Sequence, residues 1–526
     1  MSGTLKAGGA LAVIWAVMAF VSLWPGGLAV TLHEGDTLHF IDITERMARG
    51  QLPHVDFETP IGGGAFWPIA ALVQAGLSMG AAYLVAQVIL GALFGALAVA
   101  VAATRVDWGW TLAFGLLVLS LTMSFVHGEA SLGISISMHY NRWAWALSFI
   151  VLLMAILPSE SNSKAFDGIV LGAAMAALLL IKVTYFAVLA PLVIIALLLT
   201  AQRMVLGIGL VFGLFLTVVL TAFVGVDYWL AYLGDLLAVV GSDVRPQPGL
   251  NLSQIFSAPA YVAYTAVAFA MVVVLRRSGF LAEGLFVLLL IGAGAYITYQ
   301  NFGNDPVWFA LLALLLGVWA SEASARGPRP ALTLGAVALA AGIAPSIINM
   351  AGSPVRHLTI DREEYIPALV GTDVHQDFLM NRKRANLLRA EGPLERGSRG
   401  FDAPEAPEVV MFQGEELTDC MADVSVATYG SLAADLAEQG LAQGSAIYMM
   451  DILNPIWLLG DHEPLLGGTP WYYDGLPGFE NAQFVLLPLC PVNPMSQRLM
   501  VEAMAELSDV SLTEVARRPL YILYAR

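Results

Sequence analysis

Eleven long apolar runs constrain this chain more than any other feature. They lie at roughly 8–30, 80–104, 109–126, 141–157, 167–181, 184–201, 204–226, 259–275, 279–298, 306–321 and 331–348. Runs of this kind are typical of helices that cross the ~30 Å hydrocarbon core of a bilayer. Only 13% of the residues are charged, against about 25% in soluble domains. We therefore predict a mostly α-helical, polytopic membrane protein with about 11 transmembrane helices, and exclude a purely soluble enzyme.

Charge divides the chain near residue 350. Residues 1–350 contain 13 Lys/Arg and 16 Asp/Glu, whereas residues 351–526 contain 12 and 25. The first part is predicted to be the transmembrane domain and the second, here called the tail, a soluble α/β domain. Apolar β-rich runs in the tail lie at 446–450, 484–489 and 520–524. They alternate with helical stretches at 374–390, 429–438 and 494–507. So acidic a tail argues against a nucleic-acid partner.

Basic residues in the connections predict the orientation. With a cytoplasmic N-terminus, alternate connections carry the cations Lys6, Arg105, Lys164, Arg203, Arg276, Arg277, Arg326 and Arg329. Cytoplasmic loops are enriched in such residues. Eleven spans then place the first long loop, at 31–79, and the tail outside, which in a bacterium is the periplasmic side of the inner membrane. The first run is read as a retained span, although its removal as a signal peptide stays open.

The loop at 31–79 concentrates the acids of the apolar part. Within 33–58 it holds three histidines and six carboxylates: His33, His39, His54, Glu34, Asp36, Asp42, Glu45, Asp56 and Glu58. Its first half predicts an amphipathic helix that ends at glycine and lies along the bilayer surface. We interpret Asp42 and Glu45 as solvated on that helix. The acids Asp36, Asp56 and Glu58 stand beside Gly or Pro at a membrane border, which favours a function.

This loop resembles the first outer loop of the GT-C class of polyprenyl-phosphate-dependent glycosyltransferases, which includes aminoarabinose and protein-mannosyl transferases. The shared features are an acidic pair after the first span, a short helix ending in Met-Ala-Arg-Gly, and the motif Pro53-His-Val-Asp-Phe-Glu-Thr-Pro60. The likeness covers the loop closely and the many-span architecture loosely. It implies a GT-C-like fold that transfers a sugar from a polyprenyl-phosphate-linked donor to a hydroxyl of a glycolipid, glycan or protein acceptor.

The resemblance also implies roles for single residues. Asp36 matches the catalytic base best, and Glu34 is the second candidate. Asp56 and Glu58 match acids that shape the acceptor side. Thr59 stands where several relatives have a lysine that holds the donor phosphate, so this chain needs another cation for that contact.

Basic residues on the predicted outer side are the candidates for the donor phosphate. They are Arg142, Lys182 and Arg245, because cations stabilise a departing phosphate. For Arg142 and Lys182 the alternative is that they snorkel to lipid headgroups. Polar residues at the same helix ends are candidates for lining the substrate, namely His54, His139, Asn141, Gln300 and Asn301, although the loop after Gln300 can equally be a capped turn.

Other functions and groups stay open at this stage. A transporter or flippase of a lipid or small solute needs ionisable residues near mid-bilayer, and the span interiors have few. A non-catalytic envelope assembly protein is the third alternative. No metal site is predicted, and a divalent cation stays possible. Cys420 and Cys490 are predicted either to form a disulfide in an oxidising compartment or to be buried apolar residues.

Overall fold

The computed structural model describes residues 2–128, 130–159, 163–244, 259–301, 305–324, 327–370, 372–386, 390–391, 411–417, 420–507 and 511–526. The helices in these ranges are α1 (Ser2–Leu23), α2 (Glu34–Ala48), α3 (Trp67–Gln74), α4 (Met79–Ala102), α5 (Trp108–Thr122), α6 (His139–Ile156), α7 (Lys164–Ile181), α8 (Val183–Leu199), α9 (Arg203–Val224), α10 (Asp227–Gly241), α11 (Pro259–Arg277), α12 (Leu281–Tyr299), α13 (Trp308–Glu322), α14 (Arg329–Leu358), α15 (Arg382–Ala385), α16 (Val426–Glu438), α17 (Ile456–Leu459) and α18 (Pro494–Ala505). The strands are β1 (Leu28–Val30), β2 (Tyr365–Pro367), β3 (Phe378–Asn381), β4 (Ala390–Glu391), β5 (Met411–Phe412), β6 (Glu415–Glu416), β7 (Met421–Ala422), β8 (Ile447–Met449), β9 (Phe484–Pro488), β10 (Thr513–Arg517) and β11 (Tyr521–Ala525).

Each of the eleven apolar runs coincides with a helix. Within the described ranges, six helices are long and apolar enough to cross a membrane: α1, α4, α7, α9, α12 and α14. Three shorter helices, α5, α8 and α13, are also apolar. The chain is therefore a mostly helical protein with several candidate membrane spans, and the count of eleven stays a prediction. The last of these helices, α14, continues beyond the predicted domain border at 350.

Helix α6 forms the centre of the helical part. All 18 of its residues are buried, and α4, α5, α7 and α8 pack around it. Helix α7 also packs closely against α9 through glycines, since a Cβ on Gly172 would lie 2.6 Å from the carbonyl oxygen of Gly209. Such small residues allow helix backbones to meet in an apolar environment. The first turn of α6 therefore holds its polar side chains at a fixed place in the bundle.

The tail contains a four-stranded mixed sheet in the order β10-β11-β9-β8. Strands β8 and β9 are parallel, whereas β11 is antiparallel to both of its neighbours. The three predicted strands and two of the predicted helical stretches are present as β8, β9, β11, α16 and α18. Cys420 and Cys490 form a disulfide with their Cα atoms 4.9 Å apart, which confirms the first of the two alternatives for them.

A second small sheet joins the beginning of the chain to the tail. β1 runs parallel to β3, and β2 is antiparallel to β3 on its other side. The prediction of helix at 374–390 is therefore wrong over β3, because this segment finds strand partners distant in sequence. The first helix also ends at Leu23 rather than near residue 30. Gly27 allows the close approach, since a Cβ there would lie 2.5 Å from the Asp377 carbonyl oxygen.

Helix α2 is present as predicted and ends just before Gly50, but it is buried between the helical part and the tail rather than solvated. Twelve of its 15 residues are buried. Asp42, predicted to be solvated, is 2% exposed. Its carboxylate pairs with Arg46 at 2.5 Å and accepts the indole N–H of Trp457 at 3.0 Å. Local periodicity could not identify this burial, because the covering residues come from the tail.

Candidate active site

The first turn of α2 holds Asp36, the candidate base. The helix begins directly after His33, whose backbone is left-handed with φ 66°. Asp36 is half-buried, and one of its carboxylate oxygens accepts the hydroxyl of Ser137 at 2.9 Å. The free N–H groups of a helix N-terminus favour a negative charge at this position. Asp36 therefore lies as a carboxylate against the loop that precedes α6.

Glu34, two residues before Asp36, has a different environment. Both of its carboxylate oxygens accept hydrogen bonds from the guanidinium of Arg384 in α15, the second at 2.9 Å. Glu34 is buried, with 6% of its surface exposed. Both oxygens of Glu34 are therefore engaged by one guanidinium, which fixes the orientation of its carboxylate.

Arg142 lies in the first turn of α6 with unused donors. It is 3% exposed, and one terminal nitrogen donates to the carbonyl oxygens of Ser137 at 3.1 Å and His127 at 3.3 Å. Its Nε and other terminal nitrogen are buried and make no well-formed hydrogen bond among the described residues, and the neutral hydroxyl of Tyr83 is an electrostatic partner of the guanidinium. This burial is inconsistent with snorkelling. Unsatisfied donors on a buried cation are costly, so the site suits an anionic ligand.

Lys182 joins the same group from the turn between α7 and α8. Its ammonium donates to the side-chain oxygens of Asn141 at 3.0 Å and Asn301 at 2.5 Å. It also lies 5.1 Å from the centre of the Tyr140 ring. The two asparagines, both buried, were predicted as substrate-lining residues. Their contacts orient the ammonium and bring three predicted residues together.

A small cavity of about 20 Å³ lies beside this group and is lined by Asn141, Arg142, Asn301 and His127, among others. That volume is about the space of one water molecule, so a larger group needs the lining to move. The pKa of His127 is lowered to about 3 by burial and by the nearby His33, Arg142 and Lys182. The imidazole is therefore neutral at pH 7, and the cavity lining contains both the guanidinium of Arg142 and the side chain of Asp305.

Glu58 of the second motif lines a separate cleft of about 500 Å³ between the first loop, α10 and the tail. Glu58 lies there near Asp474 and Glu480, and burial followed by repulsion from Asp235, Glu480 and Asp474 raises its pKa to about 7. Asp56 instead accepts the backbone N–H of Leu52 at 2.6 Å, so it fixes the turn. Asp36 and Arg142 are joined through Ser137, and Lys182 contacts Asn141 next to Arg142. Glu58 stands apart from them in this other cleft.

His54 lines the same cleft, and residues of α10 fix its imidazole ring. Its Nδ1 is 2.7 Å from a carboxylate oxygen of Asp235 on α10, and its ring stacks on Tyr232 with centroids 4.2 Å apart. His139 lies elsewhere, with Nε2 2.9 Å from the Ala65 carbonyl oxygen, inside a shell of aromatic rings. His139 is therefore part of the core rather than the lining of this site.

The remaining candidates are placed as follows. Gln300 ends α12 next to Asn301 and is half-buried. Arg245 lies outside the described residues. Within the ranges that the structure describes, no group of three or more His, Cys, Asp or Glu side chains could hold a metal ion.

Sequence reasoning missed the partners that connect these groups. Ser137 bridges Asp36 and Arg142, and a serine in a loop carries no local signal. Arg384, the partner of Glu34, lies in a run of basic residues that resembles a solvated surface. Asp235 was identifiable, since a lone acid on an apolar helix is costly unless it has a partner.

Comparisons with known proteins give a weak match in fold. No family model matches the chain, and no curated protein matches it. The crystal structure of ArnT from Cupriavidus metallidurans bound to undecaprenyl phosphate is similar with a TM-score of 0.40 and 12% identity, over 99% of this chain and 98% of that chain. The apo state of that ArnT gives 0.37 and 13%, over 98% and 97%. A similarity of this size indicates neither ligand nor reaction here.

Proposed function

We propose that this chain is a membrane glycosyltransferase that moves a sugar from a polyprenyl-phosphate-linked donor to an acceptor hydroxyl at the outer face of the bacterial inner membrane. The observation that supports this most strongly is the buried guanidinium of Arg142. Two of its nitrogens make no well-formed hydrogen bond among the described residues and its electrostatic partner is the neutral Tyr83 hydroxyl, and Lys182 lies in the same polar group through Asn141. Two cations at the end of apolar helices fit a phosphate carried on a lipid.

The proposed chemistry needs one base and one phosphate site. Asp36 takes the proton of the acceptor hydroxyl while that oxygen forms its bond to the anomeric carbon. The bond between this carbon and the phosphate oxygen breaks, and the polyprenyl phosphate leaves with the electron pair. Arg142 and Lys182 stabilise the charge that develops on the phosphate. Ser137 connects the two halves, because its hydroxyl binds Asp36 and its carbonyl oxygen binds Arg142.

The cleft at Glu58 is assigned to the acceptor side. It is the larger space, about 500 Å³, and the first loop supplies both Glu58 in the cleft and Asp36 at the candidate active site. Asp56 supports this side indirectly by fixing the turn before Glu58. Acceptors of the glycolipid, glycan or protein class all present a hydroxyl suited to this arrangement.

Mass spectrometry of envelope glycans and glycolipids tests the class of function. Cells without this chain should lack one sugar mass that cells with it contain. Complementation with Arg142→Gln should fail to restore that mass, because the variant loses the charge that holds the donor phosphate. The control Arg277→Gln removes an exposed arginine at the end of α11 and should restore the sugar. Identical profiles with and without the chain would exclude a glycosyltransferase of the envelope.

Binding of undecaprenyl phosphate, used as a probe lipid, tests the phosphate site directly. Native mass spectrometry of the purified chain should show binding that weakens at least tenfold in a variant with both Arg142→Gln and Lys182→Gln, since charge-assisted contacts contribute more than neutral ones. Equal binding by the double variant would show that the phosphate is held elsewhere.

A further inference from the structure

The tail holds the helix that carries the candidate base along its whole length. At its first turn, Glu34 pairs with Arg384 through both carboxylate oxygens. In the middle, Asp42 accepts the indole N–H of Trp457 at 3.0 Å. Near its end, the guanidinium of Arg46 donates to the carbonyl oxygen of Leu465 at 2.9 Å. Three separate segments of the tail therefore fix α2.

The strand before α2 is fixed in the same way. β1 pairs with β3 in parallel, with Leu28 opposite Phe378 and Val30 opposite Met380. The backbone N–H of Ala29 also donates to His357 at 3.0 Å. Strand pairing fixes the register of a segment, since a slip by one residue reverses its faces. The chain thus enters α2 from a position that β3 of the tail determines.

Gly35, between Glu34 and the candidate base, packs closely against the tail. A Cβ at this position would lie 3.1 Å from a methyl carbon of Val424 and 3.5 Å from the ring of Trp471. Both of these residues belong to the tail. The tail therefore contacts the backbone on the N-terminal side of Asp36, and Glu34 is anchored one residue further upstream.

We infer that Arg384, in the tail, is a positioning residue that sets the place of Asp36 by holding Glu34. This inference rests on the proposed function for its kinetic consequence. Arg384 does not reach the reacting atoms. Its planar guanidinium matches a carboxylate with two parallel hydrogen bonds, so it fixes the orientation of the first turn of α2 as well as its charge. Displacement of a catalytic group by about 1 Å can lower a rate on the order of 100-fold.

A double-mutant cycle tests the coupling in the full-length chain. Glu34→Gln, Arg384→Gln and the double variant should each reduce the envelope sugar by a similar factor, about 10- to 100-fold, because all three lose the same ion pair. Arg384→Lys should restore only part of the activity. The control Lys383→Gln removes an exposed charge from the same short helix and should match the wild type. Independent, multiplicative losses in the two single variants would overturn the inference.

Two further measurements separate positioning from a general defect and from failure of the proposed function. Undecaprenyl phosphate, used as the probe, should bind Arg384→Gln within about twofold of the wild type, because the phosphate site keeps both cations. Hydrogen exchange of the backbone at 34–40 should accelerate in Arg384→Gln and stay unchanged in Lys383→Gln. This second measurement needs no knowledge of the reaction. Unchanged exchange at 34–40 would overturn the positioning role even if the chain proves to have another activity.

Discussion

Ionisable side chains beside apolar runs could be predicted from the sequence, and their partners could not. Asp36, Arg142 and Lys182 each stand out, because a charge at the border of a membrane span is costly. Their connection through Ser137 and Asn141 arises only when the loop before α6 meets α2. The separation of Glu58 from this group was also beyond the sequence, since it depends on where α10 and the tail form the cleft.

Asp36→Asn tests the base directly. The substitution keeps size and removes basicity, so the chain should still bind the probe lipid while sugar transfer falls by ~10² to 10⁴. Transfer rates in membranes from complemented cells give the measurement. Glu364→Gln, which removes an exposed acid of the tail, is the control and should match the wild type. If Asp36→Asn retained full activity while Glu34→Gln abolished it, the base would be Glu34.

Glu58 should make stability depend on pH. Burial and the neighbouring Asp235, Glu480 and Asp474 raise its pKa from 4.5 to about 7, so the folded state binds more protons than the unfolded state between these values. Stability contributed by protonated Glu58 is therefore present at low pH and declines as the pH rises through about 4.5 to 7.

Glu58→Gln removes this dependence. At pH 8 the variant should unfold at a higher temperature than the wild type, and its free energy of unfolding should be larger by about 3 kcal/mol from the usual conversion of pKa shifts. At pH 4 the two should unfold together. Thermal unfolding in detergent at the two pH values gives the comparison. A wild type that gains stability on going from pH 4 to pH 8 relative to the variant would contradict the raised pKa.

Among the elements, the helices at the apolar runs were predicted well, whereas the burial of α2 was not. Hydrophobic length is a local property, and it identifies α4 or α9 without knowledge of the rest of the chain. The burial of α2 depends on residues more than 300 positions away, such as Arg384 and Trp457. The strand partners of β1 and β3 are also distant in sequence. For this reason the local sequence predicts the end of a membrane span at β1 and part of a helix at β3.

Asp42→Asn should destabilise α2 rather than behave as a surface change. Arg46 is 1% exposed and its Nε donates to Asp42 at 2.5 Å, so the variant leaves a buried cation without its anion. Breaking a buried pair in this way costs about 3 to 5 kcal/mol. A lower unfolding temperature in detergent is the expected result, whereas Asp373→Asn, at an exposed site, should leave it unchanged. Equal stability of Asp42→Asn would indicate a solvated carboxylate.

At the scale of the whole molecule, the orientation remains a prediction from the basic connections. Both native cysteines are in the disulfide, so a single introduced cysteine provides the free thiol for labelling. In intact spheroplasts an impermeant thiol reagent should modify a cysteine at 363, in the tail, and should not modify one at 164 or 276. Modification at 164 or 276 would overturn the cytoplasmic N-terminus.

The pairing of β1 with β3 joins two segments that the ribosome makes at very different times. Phe378 follows Leu28, its partner in the sheet, by roughly 350 residues, or about 20 to 70 s of synthesis at typical rates. During that interval the strand before α2 has no partner, and the ion pair at Glu34 does not exist. The segment with the candidate base is therefore among the first parts to be synthesised and among the last to mature. A chain interrupted before the tail would lack the partners that fix this segment.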